Sequence, residues 1–189
     1  MMSESMSSPL IETILNRRSI RQYAAKNIPE NVLATILEAA RQAPSAINLQ
    51  PWHFIVVTVQ TLKQQLADGR YNRFITECPV TIVGCADMSV TVKNPYLNEL
   101  YETHRYPIID VSIALQNIVI AAWVLGVGSC WIGDFREQHV KSLLQIPDHW
   151  RVVALLTLGY PLNPPTSKNK KPFNDIISYN AFSPDAQST

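Results

Sequence analysis

Positive charge and hydrogen-bond donors are concentrated near the N-terminus in Arg17, Arg18, Ser19 and Arg21. Three guanidinium groups this close together repel one another unless an anion lies between them, and arginine is suited to bidentate contacts with phosphate oxygens. The segment is therefore a candidate phosphate site. The alternative is a solvated basic helix end whose cations complement the helix dipole, and the cluster taken alone favours that simpler interpretation.

A second segment is dense in small, hydroxyl and amide side chains and is bounded by Pro44 and Pro51. The two prolines restrict the backbone, so we expect the segment to be stiff. A stiff loop would allow the polar groups of Ser45, Asn48 and Gln50 to recognise the edge of a polar ring. The alternative is a structural crossover in which these groups satisfy their own backbone.

Two further stretches carry candidate groups. Lys168, Lys170 and Lys171 form a possible second anion site, although lysine runs are usually solvated surface. Residues 126–134 are rich in glycine and end in a Trp-Ile-Gly-Asp sequence. These glycines do not fit the dinucleotide fingerprint, and they follow a predicted helix rather than a strand.

The four segments resemble, in the same order along the chain, motifs of the nitroreductase family of FMN enzymes. The proline-bounded loop is similar to the family signature Pro-Ser-x-x-Asn-x-Gln-Pro-Trp, and the arginine cluster to its Arg-x-Ser-x-Arg/Lys motif. The glycine-rich stretch resembles its Leu-Gly-x-Gly-x-x-Trp-Ile-Gly segment, and the lysines resemble its basic residue before a proline. The resemblance covers roughly residues 10–177.

This resemblance implies a set of FMN contacts. Arg17, Arg18 and Ser19 would hold the phosphate and ribityl chain. Arg21 would reach the N1–C2=O edge of the isoalloxazine, where a fixed cation stabilises the negative charge of reduced flavin. Gly133 would let backbone amides approach the ring because it has no Cβ. The other implied cofactor contacts are Lys170 and then Lys168 at the phosphate, with Pro44, Ser45, Ala46, Asn48, Gln50, Trp131, Ile132 and Asp134 around the ring.

The activity implied by the resemblance is a ping-pong oxidoreductase reaction. NAD(P)H would pass hydride to flavin N5, and a nitroaromatic, quinone or similar small acceptor would then take the electrons at the same site. No side-chain acid or base is required. The same binding residues would also serve a flavin carrier without turnover, or another flavin chemistry such as dehalogenation or flavin destruction. Residues 88–105, a possible substrate cover, would separate that last alternative.

Hydrophobic patterning places these segments between helices and apolar strands. Helices are predicted over 10–17, 29–41, 61–67, 108–126 and 136–145, and strands over 54–59, 79–86, 129–132 and 151–159. Such alternation indicates a sheet covered by helices. The resemblance narrows this to an α+β fold with a mixed central sheet, assembled as an intertwined homodimer with FMN at the interface. The Ser45–Gln50 loop of one subunit would then meet flavin bound mainly by the other, and helix 108–126 would serve the dimer core.

Composition limits the classes of partner. The chain has 189 residues, 47% of them hydrophobic, and a net charge of +1, which gives no reason to expect nucleic acid or an anionic membrane as a partner. We expect one domain over 10–182, with a disordered start at 1–9 and a polar tail at 183–189. Three cysteines without Cys-x-x-Cys spacing argue against a disulfide framework or a thiolate zinc site, and they favour the cytoplasm.

Overall fold

A computed structural model, which describes residues 8–90, 105–163, 165–166 and 169–182, is built around one sheet. Its strands are β1 (Trp52–Val57), β2 (Val80–Asp87), β3 (Gly128–Ile132) and β4 (Trp150–Gly159). They lie in the order β1-β2-β4-β3. All four strands were predicted, each within two residues at either end.

The sheet differs from the predicted mixed sheet, although the α+β class is confirmed. The three pairs of neighbouring strands all run antiparallel. β1 and β2 are consecutive along the chain and adjacent in the sheet. The same is true of β3 and β4. Among the described residues, parallel pairing is limited to one isolated bridge between Ser19 and Ser129. The arginine segment therefore lies beside β3 but does not form a strand.

Helices cover both faces of the sheet. They are α1 (Pro9–Asn16), α2 (Glu30–Arg41), α3 (Gln60–Leu66), α4 (Arg105–Val124) and α5 (Glu137–Leu144), as predicted to within about three residues. Helix α1 begins inside the predicted disordered start, at Pro9, where the Ser8 hydroxyl accepts a hydrogen bond from the Leu10 amide at 3.3 Å and caps the helix. Residues 1–7, 91–104 and 183–189 lie outside the described residues, which leaves the predicted cover and tail untested.

The two central strands carry the core on both faces. In β2, Ile82 packs with α2 and α4 on one face, and Val83 packs with α3 and α5 on the other, each fully buried. Successive residues of a strand point to opposite faces, which is why β2 and β4 read as nearly continuous apolar runs. Close packing of α4 depends on Gly84, where a Cβ would come within 2.7 Å of Leu115 Cδ1.

By length and composition alone, α4 is apolar enough to cross a membrane, and 44% of its most apolar window is buried. Eight of its residues are buried, and six of these belong to the core cluster that α4 shares with α2 and the sheet. A helix buried on most sides passes the same compositional test as a membrane span. We therefore describe α4 as the core helix of the fold.

Two segments leave large apolar side chains in solvent. No residue of α1 is buried, and its apolar side chains are about half exposed or more. Residues 169–182 are exposed throughout. The exposed apolar side chains of these two segments are Leu10, Ile11, Ile14, Leu15, Phe173, Ile176, Ile177, Tyr179 and Phe182. We call them the outer apolar residues.

Candidate functional site

The arginine segment is held by backbone hydrogen bonds to two strand ends. The Ile20 amide donates to the Ser129 carbonyl of β3 at 2.9 Å. Beyond β4, the Leu162 amide donates to the Gln22 carbonyl at 3.0 Å. Ile20 is buried whereas Arg21 is exposed, so an extended backbone directs the apolar side chains inward and the cations outward.

A buried tyrosine that the sequence analysis did not single out anchors this segment from below. The Tyr23 hydroxyl donates to the Ile20 carbonyl at 2.6 Å and lies 2.7 Å from the Thr157 hydroxyl of β4. Burial raises the pKa of Tyr23 well above its usual value, so the phenol stays a neutral donor. No period-2 alternation identifies it in the sequence, because Ile20 and Tyr23 are both buried while Arg21 and Gln22 between them are exposed.

The cleft beside this segment has a volume of about 630 Å³, within the range of small-molecule sites. Its lining brings together five of the predicted site residues from opposite ends of the chain: Arg17, Arg18, Ser19, Arg21 and Lys170. Among its described lining residues there is no carboxylate. Cations converging without a negative partner suit a bound phosphate. Lys168 lies outside the described residues.

Arg18 also performs the role that the simpler interpretation predicted. Its Nη1 donates to the Leu15 carbonyl at 2.6 Å and to the Arg17 carbonyl at 2.9 Å. These contacts cap the C-terminal end of α1 and occupy one edge of the guanidinium. Among the described contacts, the side chains of Arg17, Ser19 and Arg21 make no such capping bond, and Arg17 caps the helix only through its backbone amide, which donates to the Thr13 carbonyl at 2.9 Å.

The proline-bounded loop is cross-linked by its own hydrogen bonds, and none of its residues is among the described residues that line this cleft. The Ser45 hydroxyl accepts from the Gln50 amide at 3.0 Å, and the Gln50 side chain donates to Asn48 Oδ1 at 3.2 Å. The polar groups thus partly satisfy one another, as the crossover interpretation predicted. Ile47 and Asn48 both lie in the left-handed region, with φ angles of 43° and 60°. This conformation is strained for a β-branched residue such as Ile47.

A buried carboxylate that the sequence analysis missed holds the same loop. Asp110 of α4 accepts a hydrogen bond from the Ala46 amide at 3.2 Å. Burial raises the pKa of Asp110, and the Ala46 amide acts in the opposite direction. Pro44 is exposed, and Ala46 is half-buried. The stiffness expected from the two prolines stays a prediction, which the bond from Ala46 to Asp110 supports.

The glycine-rich segment, residues 126–134, contains β3, and its side chains divide between the core and the surface. The Ile132 side chain is buried in the core, so only its backbone could contact a ligand. Trp131 is 37% exposed. A Cβ on Gly133 would meet no atom within 4 Å, so protein packing does not require glycine there. The Asp134 carboxylate is already engaged, because its Oδ2 accepts from the Tyr71 amide at 2.9 Å.

Residues 14–69 and 59–160 match the model of the Nitroreductase family. The chain belongs to the nitroreductase family. Its predicted identity as a nitroreductase-type oxidoreductase is thereby confirmed.

Relatives of this nitroreductase-family chain span most of its length. A protein of Archaeoglobus fulgidus is 36% identical over 180 residues, covering 93% of this chain and 94% of the relative. The FMN reductase (NADPH) of Bacillus subtilis is 30% identical, with 91% and 74% covered. The solved structure of NfrA2 from B. megaterium superposes with a TM-score of 0.86 at 28% identity, covering 96% of this chain and 78% of that one.

Proposed function

We propose that the cleft binds FMN through the cofactor phosphate. The observation that carries this proposal is the convergence of Arg17, Ser19, Arg21 and Lys170 on one cleft without a described carboxylate. Arginine and lysine differ in their donor geometry, and together they provide a bidentate fork and a mobile point charge for one phosphate group. Arg18 contributes charge while it caps α1.

The flavin ring would lie toward the end of β3, beyond the arginine segment. Ser19 pairs with Ser129, and Trp131 follows two residues further along the same strand. The open space over Gly133 gives a planar ring access to backbone groups, which a Cβ would obstruct. Arg21 would then place its charge near the N1 edge of the ring.

We propose that the protein is an NAD(P)H-dependent flavin oxidoreductase. FMN, when bound, would accept hydride from NAD(P)H and return the electrons to a nitroaromatic, quinone or similar acceptor in a ping-pong cycle. The chain's own residues orient the partners and supply the Arg21 charge. The names of relatives support this assignment, since they include an NADPH-flavin oxidoreductase of Vibrio harveyi and an oxygen-insensitive NADPH nitroreductase of Salmonella typhimurium.

We further propose that the working unit is a cytoplasmic homodimer that needs neither nucleic acid nor membrane. The outer apolar residues, together with Ile109 and Val124 on α4, form apolar surface that a second copy would cover. The proline-bounded loop does not contribute to the cleft of its own chain among the described lining residues. Its predicted flavin contacts, Ser45, Asn48 and Gln50, would therefore be made across the dimer.

The experiment that tests FMN binding compares two arginines of the cleft. We expect Arg17→Ala to raise the Kd for FMN by about ten- to a hundred-fold, because a hydrogen bond to a charged group contributes about 1.5–3 kcal/mol. Arg21→Ala should leave binding partly intact and lower the flavin reduction potential. Titration with FMN and spectroelectrochemistry measure the two effects.

The matched control is Arg41→Ala on α2, where the arginine is exposed and paired with Glu38 at 2.7 Å. This control removes one positive charge from another part of the surface and should change neither quantity. An unchanged Kd and an unchanged potential in both cleft variants would contradict the assignment of the cleft.

A further inference from the structure

We propose that Arg70 and Tyr71 bind the adenosine and phosphate portion of the dinucleotide NAD(P)H. Both residues lie outside the segments that the sequence analysis assigned to a site. This inference rests on the proposed flavin oxidoreductase function, and it adds a recognition surface for the electron donor outside the cofactor cleft.

Residues 68–74, here the rim loop, are attached directly to the turn that follows β3. The Tyr71 amide donates to Asp134 Oδ2 at 2.9 Å, and Asn72 Nδ2 donates to the Asp134 carbonyl at 2.8 Å. Asn72 is 1% exposed and also accepts from the Gly69 amide at 3.0 Å. A Cβ on Gly69 would overlap the Asp134 carbonyl oxygen, so the two backbones are in close contact.

The other end of the rim loop meets the arginine segment. The Arg21 guanidinium carbon lies 5.9 Å from the centroid of the Phe74 ring. At its start, Asp68 pairs with Arg136 at 2.8 Å. The rim loop therefore spans from the cation proposed for the flavin N1 edge to the turn at Gly133 and Asp134, which places it along the border of the proposed flavin position.

The side chains that this rigid loop presents to solvent suit a nucleotide. Tyr71 is 71% exposed, and the Arg70 guanidinium carbon lies 5.2 Å from the centroid of its ring. Arg73 is also exposed. An open aromatic face stacks on a purine, and guanidinium groups pair with phosphate oxygens. The single FMN phosphate already has its own cations in the cleft, so these groups fit the purine and the additional phosphates of the donor.

The test compares two electron donors in steady-state assays of the FMN-loaded enzyme. Dihydronicotinamide riboside carries the hydride but lacks both adenosine and phosphate. We expect Tyr71→Ala to raise the KM for NADPH or NADH about tenfold, since stacking on one base has about this effect. Arg70→Ala should raise the KM by about tenfold as well, because it removes a hydrogen bond between charged groups. The kcat/KM for the riboside should stay within about twofold, and the visible spectrum of bound FMN should not change.

Two further variants sharpen the comparison. Tyr71→Phe keeps the aromatic face and should retain the parent KM, whereas Arg41→Ala removes an arginine from α2 and should affect neither donor. Equal losses with both donors, or no change with either, would overturn the inference while leaving flavin turnover established. A parent protein that neither donor reduces would overturn the proposed function and this inference with it.

Discussion

At the scale of single residues, the proposed site combines side chains that the sequence reveals with side chains that only the fold brings together. The clustering of Arg17 and Arg21 could be predicted, because residues that are close in sequence remain close in any fold. Tyr23 was not, because its partner Thr157 is 134 residues away along the chain. Asp134 was predicted as a flavin contact, and this stays a prediction; in the structure its carboxylate accepts a hydrogen bond from the Tyr71 amide and holds the rim loop.

Tyr23→Phe tests whether the buried phenol anchors the arginine segment. The change removes one hydroxyl and leaves the Ile20 carbonyl and the Thr157 hydroxyl without a partner that they now have. We expect the free energy of unfolding to fall by about 1–3 kcal/mol, and the Kd for FMN to rise, because the segment loses its support. Urea denaturation and FMN titration measure these effects.

The matched control is Tyr71→Phe, which deletes a hydroxyl from a ring that is 71% exposed. Its free energy of unfolding should change by less than about 0.5 kcal/mol. If Tyr23→Phe unfolds and binds FMN as the parent does, the phenol is not an anchor.

At the scale of elements, local periodicity predicted the helices and strands because apolar spacing is a property of neighbouring residues. The rim loop could not be predicted, since its conformation depends on Asp134, which lies 62 residues beyond Asn72. The relative direction of the strands could not be predicted from the sequence either. The resemblance implied a mixed sheet, whereas the strand pairs close as antiparallel neighbours.

Gly133→Ala tests whether a ligand, rather than protein packing, requires the glycine after β3. A Cβ there would meet no protein atom within 4 Å, so the free energy of unfolding without FMN should change by less than about 0.5 kcal/mol. The Kd for FMN should nevertheless rise, because the methyl group enters the space proposed for the ring. Thermal unfolding and FMN titration separate the two outcomes.

Gly84→Ala provides the opposite case. Its Cβ would crowd Leu115, and overpacking of this kind costs about 1–3 kcal/mol of stability. Should Gly133→Ala bind FMN as tightly as the parent, the ring does not lie against this backbone.

At the scale of the whole molecule, the proposed dimer rests on the apolar side chains that α1 and residues 169–182 leave exposed. We expect the protein to be a dimer in solution by light scattering at micromolar concentration. Leu15→Glu introduces a charge at a side chain that is 66% exposed, so it should not disturb the core of the monomer. It should lower the apparent mass and weaken FMN binding together.

Glu12→Gln on the same helix removes a charge and should preserve the dimer. A monomeric parent protein that binds FMN fully would contradict both the dimer and the contribution of the proline-bounded loop across it.

The most direct test of the account is the visible absorption spectrum of the purified, FMN-supplemented protein under anaerobic conditions. We predict flavin bands that bleach on addition of NADH or NADPH and return when a quinone or nitroaromatic is added. Bands that neither nucleotide bleaches would contradict the oxidoreductase function and leave a flavin carrier. A protein that takes up no FMN at all would contradict the assignment of the cleft itself.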